Sequence, residues 1–301
     1  MKIGFIGAGK VGFSLGKYLQ NNCSQNDVEI VGYFSKSLKS AKSAADFTST
    51  KLYINLENIL KDSDTLFLTV PDGSISQIWD YMRNLDIRNK NICHCSGSRS
   101  STAFFDAQNR GAYVYSIHPL CAINDKYTAY TKLKNTIFTI EGSKEHLTDL
   151  MAIFKACGNK IIPIMTEKKA LYHASAVMVS NLVIALLAES IDMLVKCGIE
   201  KNMAKDILMP LLQGNVQNLV ECSLENALTG PIERNDIDTV KKHLASFTKE
   251  NLLDEKNIYA LLSQRLISIA QAKHAKIDYT KMKEVLQSEE HNSNISSTKR
   301  Q

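Results

Sequence analysis

Near its start the chain reads Lys2-Ile3-Gly4-Phe5-Ile6-Gly7-Ala8-Gly9-Lys10-Val11-Gly12. A short apolar run here passes directly into the spacing G-x-G-x-x-G, which indicates a strand, a tight turn and a helix. In a strand–turn–helix unit, Gly7 makes the tight turn, Gly9 lets the backbone approach a pyrophosphate, and Gly12 lets the helix pack closely on the strand. The helix N-terminus then presents unpaired N–H groups and a positive dipole end to the phosphates. The residues expected to bind a dinucleotide here are Gly7, Ala8, Gly9, Lys10, Val11 and Gly12.

Beyond this unit, the first half of the chain alternates β-branched runs with helical patterns. The predicted strands are residues 2–6, 28–34, 65–70, 91–95, 112–117, 136–141 and 160–164, with a weaker one at 51–53. The predicted helices between them include residues 11–20, 37–45, 74–85 and 144–157. This alternation predicts an α/β Rossmann-type fold, with a doubly wound, mostly parallel sheet covered by helices on both faces.

The second half of the chain has no convincing strand. Helical patterns cover residues 170–197, 203–212, 216–228, 236–247 and 251–272. We therefore expect an all-α C-terminal domain, with a Rossmann domain over residues 1–165 and the helical domain over 166–288. Residues 289–301 are polar and rich in Ser and Asn, which is typical of a disordered tail.

Composition excludes several functional classes. The 301 residues are 44% hydrophobic and 22% charged, so the chain is globular, and a net charge of +5 spread along it argues against a dedicated nucleic-acid binder. Seven cysteines in mostly apolar contexts indicate reduced, buried thiols and a cytoplasmic protein. The most apolar stretch, residues 174–195, contains Asn181, Glu189 and Asp192, so we expect no membrane span.

The end of the second strand distinguishes between the two nicotinamide cofactors. NAD sites use an Asp or Glu here, whereas this chain has Ser35, Lys36 and Ser37. Lys36 can pair with a 2′-phosphate and the two hydroxyls can donate to it, so the pattern favours NADP (NADPH) over NAD. The alternative is that Lys36 is a solvated charge and the serines only start a helix.

The strand over residues 65–70 ends at Val70 and Pro71, since proline stops the hydrogen-bonding ladder. Ligands bind at the carboxyl edge of such sheets, so we expect the backbone of Val70 and Pro71 to lie along the cofactor. Asp72 could contact a ribose, although a helix N-cap is the commoner role for this residue.

Two further strand ends carry polar side chains, in Cys93-His94-Cys95-Ser96 and in Ser116-Ile117-His118-Pro119. If these strands run parallel to the first, Ser96 and His118 lie at the nicotinamide edge, where we expect them to bind substrate. His94 is equally well explained as a satisfied core histidine. The spacing of cysteine and histidine matches no standard zinc pattern, so we expect no metal.

The predicted helix from residue 170 carries a polar stripe on otherwise apolar surface. Lys169 and His173 are four residues apart, and Ser180 and Asn181 follow two turns later. Because the helix is apolar almost all round, we expect it to be buried, with the stripe facing a wet cleft beside the cofactor. His173, Lys169 and Asn181 are therefore catalytic candidates, with Ser180 as a substrate ligand; a purely structural role is the alternative.

Together these motifs carry a resemblance to a known family. They are Gly7–Gly12, His94-x-Ser96-Gly97, Ser116-x-His118-Pro119-Leu120, Tyr172-His173-x-x-Ala176 with Asn181, and Leu228-Thr229-Gly230-Pro231-x-x-Arg234-x-Asp236. The chain resembles Rossmann-like proteins with a DUF2520 C-terminal domain, a group similar in layout to pyrroline-5-carboxylate reductase and the β-hydroxyacid dehydrogenases. Asn235 departs from the pattern, because glycine is usual there.

The resemblance implies an NADP-linked oxidoreductase that is a homodimer through its helical domain. Some members of the group are associated with reduction of 2-dehydropantoate (ketopantoate), which gives our expected reaction: hydride transfer from NADPH to a small 2-keto acid. His173 is the first candidate for proton donor and Lys169 the second, and Arg234 could bind the substrate carboxylate. An imine reductase of the pyrroline-5-carboxylate type and a non-catalytic NADPH sensor are the alternatives.

Overall fold

The computed structural model describes residues 1–23 and 28–287, so the predicted tail at 289–301 lies outside the described residues. Within these described residues there are eight strands: β1 (Lys2–Ile6), β2 (Glu29–Phe34), β3 (Lys51–Leu52), β4 (Thr65–Leu68), β5 (Asn91–His94), β6 (Tyr113–Pro119), β7 (Phe138–Gly142) and β8 (Ile161–Pro163). Each predicted strand is present, and its ends differ from the predicted ones by two residues at most. The strands therefore confirm the alternation inferred from the sequence.

All eight strands form one sheet in the order β3-β2-β1-β4-β5-β6-β7-β8. β1 to β6 pair in parallel, whereas β7 runs antiparallel to β6 and β8 runs parallel to β7. The carboxyl ends of β1, β2, β4, β5 and β6 consequently lie at one edge of the sheet. Register pairs such as His118↔Thr139 bring the start of β7 to this edge as well.

Helices connect and cover the strands, as the Rossmann prediction requires. They are α1 (Lys10–Cys23), α2 (Leu38–Thr48), α3 (Leu56–Asp62), α4 (Asp72–Met82) and α5 (Leu147–Ala156). Successive β1 residues point to opposite faces, so Phe5 enters one apolar cluster and Ile6 another. Phe5 stacks on Tyr33 at 5.2 Å and on Phe67 at 5.6 Å between ring centroids, which ties the central strands together.

The single long helix expected over residues 170–197 is wrong. Two helices replace it, α6 (Lys169–Met178) and α7 (Asn181–Lys196), because Val179 leaves helical geometry with ψ of 1° and the ladder breaks there. The expectation that this helix is buried is also wrong for the single chain: Lys169 is the one buried residue of α6, and α7 has no buried residue. The apolar surface of these helices exceeds what the described part of one chain covers.

The remaining helices are α8 (Lys201–Glu221), α9 (Leu224–Ala227), α10 (Ile237–Lys249) and α11 (Leu253–Lys273). The two separate helices expected over 203–212 and 216–228 are wrong, since α8 continues through Gly214 and contains Pro210. Asn235 has φ of 55°, a left-handed conformation that asparagine tolerates better than most residues. Asn235 thus adopts a backbone conformation that glycine also favours.

The chain divides into two compact units, Met1–Asn181 and Leu182–Gln301. The first unit includes α6, which the sequence assigned to the helical domain; the domain boundary after residue 165 stays a prediction. The core of the second unit is formed by α10, α11 and the residues that follow them, with Val240, Ile267 and Tyr279 fully buried. Each unit thus has a core of its own.

The expectation of reduced, buried cysteines is wrong for two pairs. Cys23 and Cys157 form a disulfide, with Cα atoms 5.7 Å apart, because the fold brings the C-terminal ends of α1 and α5 together. Their separation of 134 residues gave no signal in the sequence. Cys197 and Cys222 are free but exposed, whereas Cys93 is a buried thiol as expected.

Candidate active site at the carboxyl edge of the sheet

The turn after β1 has the geometry that the glycine pattern predicts. Gly7 has φ of 106°, and its N–H donates to the Phe34 carbonyl at 2.7 Å. The Thr69 hydroxyl donates to the Gly7 carbonyl at 2.7 Å, and a Cβ on Gly12 would lie 2.3 Å from the same hydroxyl oxygen. Gly7 and Gly12 are therefore required by the packing of the protein itself.

Gly9 differs from these two glycines. A Cβ added there would meet only the Thr69 carbonyl oxygen, at an ordinary 3.8 Å. No clash within the described protein demands a glycine, so the space beside Gly9 fits an external group such as a pyrophosphate. The first turn of α1 has no acidic residue and Lys10 is exposed, so the turn is open to an anion.

The residues after β2 present a basic, hydroxyl-rich surface. Lys36 is exposed, and Ser37 caps α2 by accepting from the Ser40 N–H at 3.2 Å. The Ser40 hydroxyl also donates to the Ser37 oxygen at 3.1 Å, which leaves the Ser37 proton free to donate outward. Ser37 thus has the helix-starting role, and its hydroxyl remains compatible with a phosphate contact.

A polar link joins the ends of β4 and β5. Asp72 is the first residue of α4, and its carboxylate accepts from the Ser96 hydroxyl at 2.7 Å and from the Ser98 hydroxyl at 3.2 Å. The sequence offered two roles for Asp72, and this link is a third. It holds the Ser96 turn against the Pro71–Asp72 turn, so the two sides of the edge are fixed relative to each other.

His94 is a core histidine with satisfied ring nitrogens, one of the roles considered from the sequence. The ring is fully buried, its Nδ1 accepts from the Ser96 N–H at 3.2 Å, and its Nε2 lies 3.1 Å from the Ser100 carbonyl oxygen. Burial lowers the pKa of His94, so it is a neutral ring with both nitrogens satisfied. It supports the turn that carries Ser96.

Lys169 is the unusual residue of this edge. Its side chain is 1% exposed, and its Nζ has no hydrogen-bond partner among the described residues. Burial lowers the pKa of Lys169 to about 8, with Glu141 and Cys95 acting in the opposite direction. Glu141 is itself occupied, because it accepts from the N–H and the hydroxyl of Ser101. A buried ammonium without a partner is costly, which is typical of a functional group.

Two histidines converge beside Lys169 at Gly97. A Cβ on Gly97 would lie 2.3 Å from His173 Nδ1 and 3.0 Å from His118 Nε2. The two rings are perpendicular, with centroids 5.9 Å apart, and His173 Nδ1 is buried without a hydrogen-bond partner among residues 1–23 and 28–287. Burial, with help from Lys169 and His173, lowers the pKa of His118 to about 4. His118 is therefore neutral at physiological pH.

Gly97→Ala tests this convergence. The new methyl group would occupy the space of the His173 ring, so we expect a loss of about 1–3 kcal/mol in the free energy of unfolding and at least a tenfold fall in catalytic rate. Chemical denaturation and steady-state kinetics measure both. Gly214→Ala is the matched control, because a Cβ there meets nothing within 4 Å. Equal behaviour of the two variants would contradict the packing of His173 on Gly97.

The other predicted substrate residues lie elsewhere. The hydroxyl of Ser180 donates to the Ala176 carbonyl at 2.7 Å and to Asn181 Oδ1 at 3.1 Å, at the break between α6 and α7. Both residues are exposed, and no described contact joins them to the histidines. Arg234 is an exposed residue of the second unit. The roles of Ser180, Asn181 and Arg234 stay predictions.

The edge thus combines a glycine turn open to an anion, the Lys169 ammonium, the neutral His118 imidazole and the His173 imidazole with an unused nitrogen. Such groups can neutralise and protonate an oxygen atom that gains negative charge. In the part of the chain that the structure describes, no group of three or more His, Cys, Asp or Glu side chains could hold a metal ion. The sequence missed the Asp72–Ser96 link and the role of Gly97, because both depend on tertiary contacts.

Comparison with known proteins supports this architecture. A Rossmann-like domain model matches residues 1–119, and the model "Domain of unknown function (DUF2520)" matches residues 136–266. Protein TM1727 from Thermotoga maritima is 25% identical with a TM-score of 0.71, and the match covers 90% of this chain and 99% of that one. No curated protein matches the sequence.

Two less similar structures share the fold. A protein from Bacteroides fragilis assigned as an NADP oxidoreductase is 20% identical, with a TM-score of 0.70 over 89% of this chain and 98% of that one. Plasmodium falciparum pyrroline carboxylate reductase with NADP bound is 16% identical, with a TM-score of 0.53 over 90% and 98%. The resemblance seen in the motifs is confirmed, since a Rossmann-like domain is followed in this chain by a DUF2520 domain.

Proposed function

We propose that the protein is an NADPH-dependent oxidoreductase that reduces a small 2-keto acid, with 2-dehydropantoate (ketopantoate) as the best candidate. The observation that carries the proposal is the buried, unpartnered Lys169 ammonium next to two imidazoles at the dinucleotide edge of the sheet. The similarity to NADP-linked proteins named above supports the choice of reaction class.

NADPH fits the residues of the first unit. The open space at Gly9 and the N-terminus of α1 would hold the pyrophosphate, with Val70 and Pro71 along the cofactor. Lys36, Ser35 and Ser37 would contact the 2′-phosphate, and no carboxylate stands among them to repel it. When bound, NADPH supplies a hydride to the substrate carbonyl carbon.

The chain's own residues would handle the proton. The Lys169 ammonium donates a proton to the carbonyl oxygen as negative charge develops there, and its pKa of about 8 keeps it protonated and still acidic enough at neutral pH. His173, the first choice from the sequence, has an unused buried nitrogen that can hold the same oxygen or relay a proton. His118, neutral beside them, and Ser96 would line the nicotinamide end.

Charge favours a keto acid over an imine. Among the described residues, no carboxylate hydrogen-bonds to the Lys169 Nζ. The nearby Glu141 carboxylate instead accepts hydrogen bonds from Ser101. An anionic 2-keto acid is attracted to such a site, whereas a protonated imine carries positive charge and is repelled. Arg234 remains a candidate ligand for the substrate carboxylate.

The alternatives are an imine reductase of the pyrroline-5-carboxylate type, which the fold similarity keeps open, and a non-catalytic NADPH sensor. NADPH oxidation at 340 nm with ketopantoate, with pyrroline-5-carboxylate and with NADH in place of NADPH separates them. We expect turnover of roughly 1 per second or more with ketopantoate and NADPH. Turnover of the imine alone would replace the substrate, and tight NADPH binding without any turnover would favour the sensor.

We also propose a homodimer through the helical domain and a cytoplasmic location, although the location no longer rests on reduced cysteines, because Cys23 and Cys157 form a disulfide. The stretch Thr166–Lys196 of the described chain, which contains α6 and α7, is together long and apolar enough to cross a membrane, and none of its apolar window is buried. A second copy of the chain would cover this surface, together with exposed apolar residues of α8 such as Leu211. Glu189 and Asp192 within α7 argue against a lipid environment.

Ile184→Glu tests the dimer. Ile184 is 68% exposed in the single chain, so burying a glutamate there in an interface would convert a dimer to monomers without unfolding them. Light scattering coupled to size exclusion measures the mass. Ile54→Glu, at a 74% exposed position before α3, should leave the mass unchanged. A wild-type monomer would contradict the proposal.

A further inference from the structure

The Tyr172 side chain contacts two ionisable groups of the site, His118 and Lys169. The Tyr172 hydroxyl lies 2.8 Å from His118 Nδ1, and the Lys169 Nζ lies 5.1 Å from the centroid of the Tyr172 ring. The phenol therefore hydrogen-bonds to an imidazole through one end while its ring faces an ammonium. The sequence analysis assigned no role to Tyr172 beyond its place in a motif.

A neutral imidazole can accept from the phenol or donate to it, and we take the phenol as the donor because its proton then has an acceptor. Burial raises the pKa of Tyr172, so the phenol keeps its proton, and burial keeps His118 neutral. A phenol that donates to Nδ1 leaves the imidazole proton on Nε2. Nε2 is the nitrogen that points to the Gly97 turn, 3.0 Å from the position of a Cβ there, so this tautomer presents an N–H donor to the site.

The ring contact acts on the charge of Lys169. An ammonium over an aromatic face is stabilised in its charged form, and this opposes the desolvation that lowers the pKa. The other ionisable groups around Lys169 are Glu141 on β7, His94 and Cys95 at the end of β5, and His118 on β6. None of these groups hydrogen-bonds to Nζ in the described chain, so the Tyr172 ring is a close electrostatic contact of the ammonium.

We propose that Tyr172 is a positioning residue, which fixes His118 as the Nε2–H tautomer that donates to the substrate oxygen and holds the Lys169 ammonium beside it. The proposal rests on the reductase function above for its effect on rate, but the tautomer is a property of the protein without cofactor. His118 then stabilises developing negative charge as a neutral donor, while Lys169 supplies the proton.

Two substitutions separate the two contacts. Tyr172→Phe removes the hydroxyl and keeps the ring, whereas Tyr172→Leu removes both. Tyr53→Phe is the control, because its hydroxyl donates to Asp62 at 2.7 Å, next to the short edge strand β3. All four proteins are labelled with ¹⁵N-histidine, and the His118 signals are assigned by their loss in His118→Gln.

At pH 7 we expect wild type and Tyr53→Phe to show His118 with a protonated Nε2 and an unprotonated, hydrogen-bonded Nδ1. In Tyr172→Phe the Nδ1 signal should move toward that of a free nitrogen, and the other tautomer should become populated. A wild-type His118 protonated on Nδ1, or signals that Tyr172→Phe leaves unchanged, would overturn the proposal even if the enzyme reduces ketopantoate.

Kinetics test the second contact. Tyr172→Phe should lower kcat about tenfold, change KM less, and leave the alkaline limb of the pH–rate profile where it is. Tyr172→Leu should also move that limb to lower pH, by roughly half to one unit, since the cation–π contact is lost. If both variants have the same alkaline limb of the pH–rate profile, the Tyr172 ring does not stabilise the Lys169 ammonium, and this part of the proposal is wrong. If no substrate turns over at all, the reductase function fails while the NMR result still stands.

Discussion

Lys169→Met is expected to lower kcat/KM for the keto acid by about 10²- to 10⁴-fold, the range measured when a general acid is removed. Methionine keeps the length and apolar stem of the side chain, so the loss reports the charge and the proton. In the wild type, the rate should fall as pH rises through about 8, since Lys169 must be protonated to act as an acid. The residual rate of the variant should lack this limb.

The same substitution has an opposite effect on stability. The pKa of Lys169 falls from 10.5 to about 8 on folding, so below pH 8 the folded state carries a buried ammonium that the unfolded state would solvate. At pH 7 we expect the free energy of unfolding of Lys169→Met to exceed that of the wild type by about 1–3 kcal/mol. The difference should shrink between pH 8 and 10.5, as the native lysine loses its proton first.

Lys168→Met is the matched control, because Lys168 is the exposed neighbour of Lys169 in the sequence. It should change neither the rate nor the pH dependence. A Lys169→Met variant that keeps more than a tenth of the activity would move the role of proton donor to His173. Unfolding curves for all three proteins, measured at several pH values, check the stability effect.

Gly9→Ala and Gly12→Ala are expected to fail in different ways. The methyl group of Gly9→Ala makes only ordinary contacts in the protein, so the melting temperature of this variant should be unchanged. Its Kd for NADPH should rise at least about tenfold, because the methyl group occupies the space of the pyrophosphate. The Gly12 methyl would lie 2.3 Å from Thr69 Oγ1 and 2.4 Å from the Gly7 carbonyl oxygen, so that variant should lose stability itself. Calorimetric titration and thermal melts separate the outcomes, and unchanged NADPH affinity in Gly9→Ala would contradict the cofactor site.

Much of the fold follows from local signals. The central strands β1, β2 and β4 are largely apolar runs between turn residues. The parallel order of the sheet brings Ser96 and His118 to the same edge as Gly7. The reversal at β7 was not predictable, because strand direction depends on the path of the connection and not on the pattern of Phe138–Gly142. The break at Val179 was also hidden, since a β-branched residue between apolar neighbours matches the period of a continuous helix.

The site was predicted in its residue types more than in its arrangement. The sequence pointed to Lys169 and His173 because polar side chains on an apolar helix are costly to bury unless they have a partner or a function. The surroundings of these two side chains could not be predicted. The contact of His173 with Gly97 and the lack of a hydrogen bond between Lys169 Nζ and Glu141 arise from packing between α6 and the sheet edge. The disulfide of Cys23 and Cys157 escaped for the same reason, because two helix ends meet only in the folded chain.

Transfer of deuterium from [4-²H]NADPH to ketopantoate, followed by NMR of the product, tests the reductase function most directly. The proposed reaction moves one hydride equivalent to the carbonyl carbon and one proton to the oxygen, so a single deuterium should appear on carbon 2 of pantoate when the correct cofactor face is labelled. The label should follow one face of the nicotinamide only. If neither labelled face yields deuterated pantoate while NADPH remains bound and unoxidised, the protein is not a ketopantoate reductase.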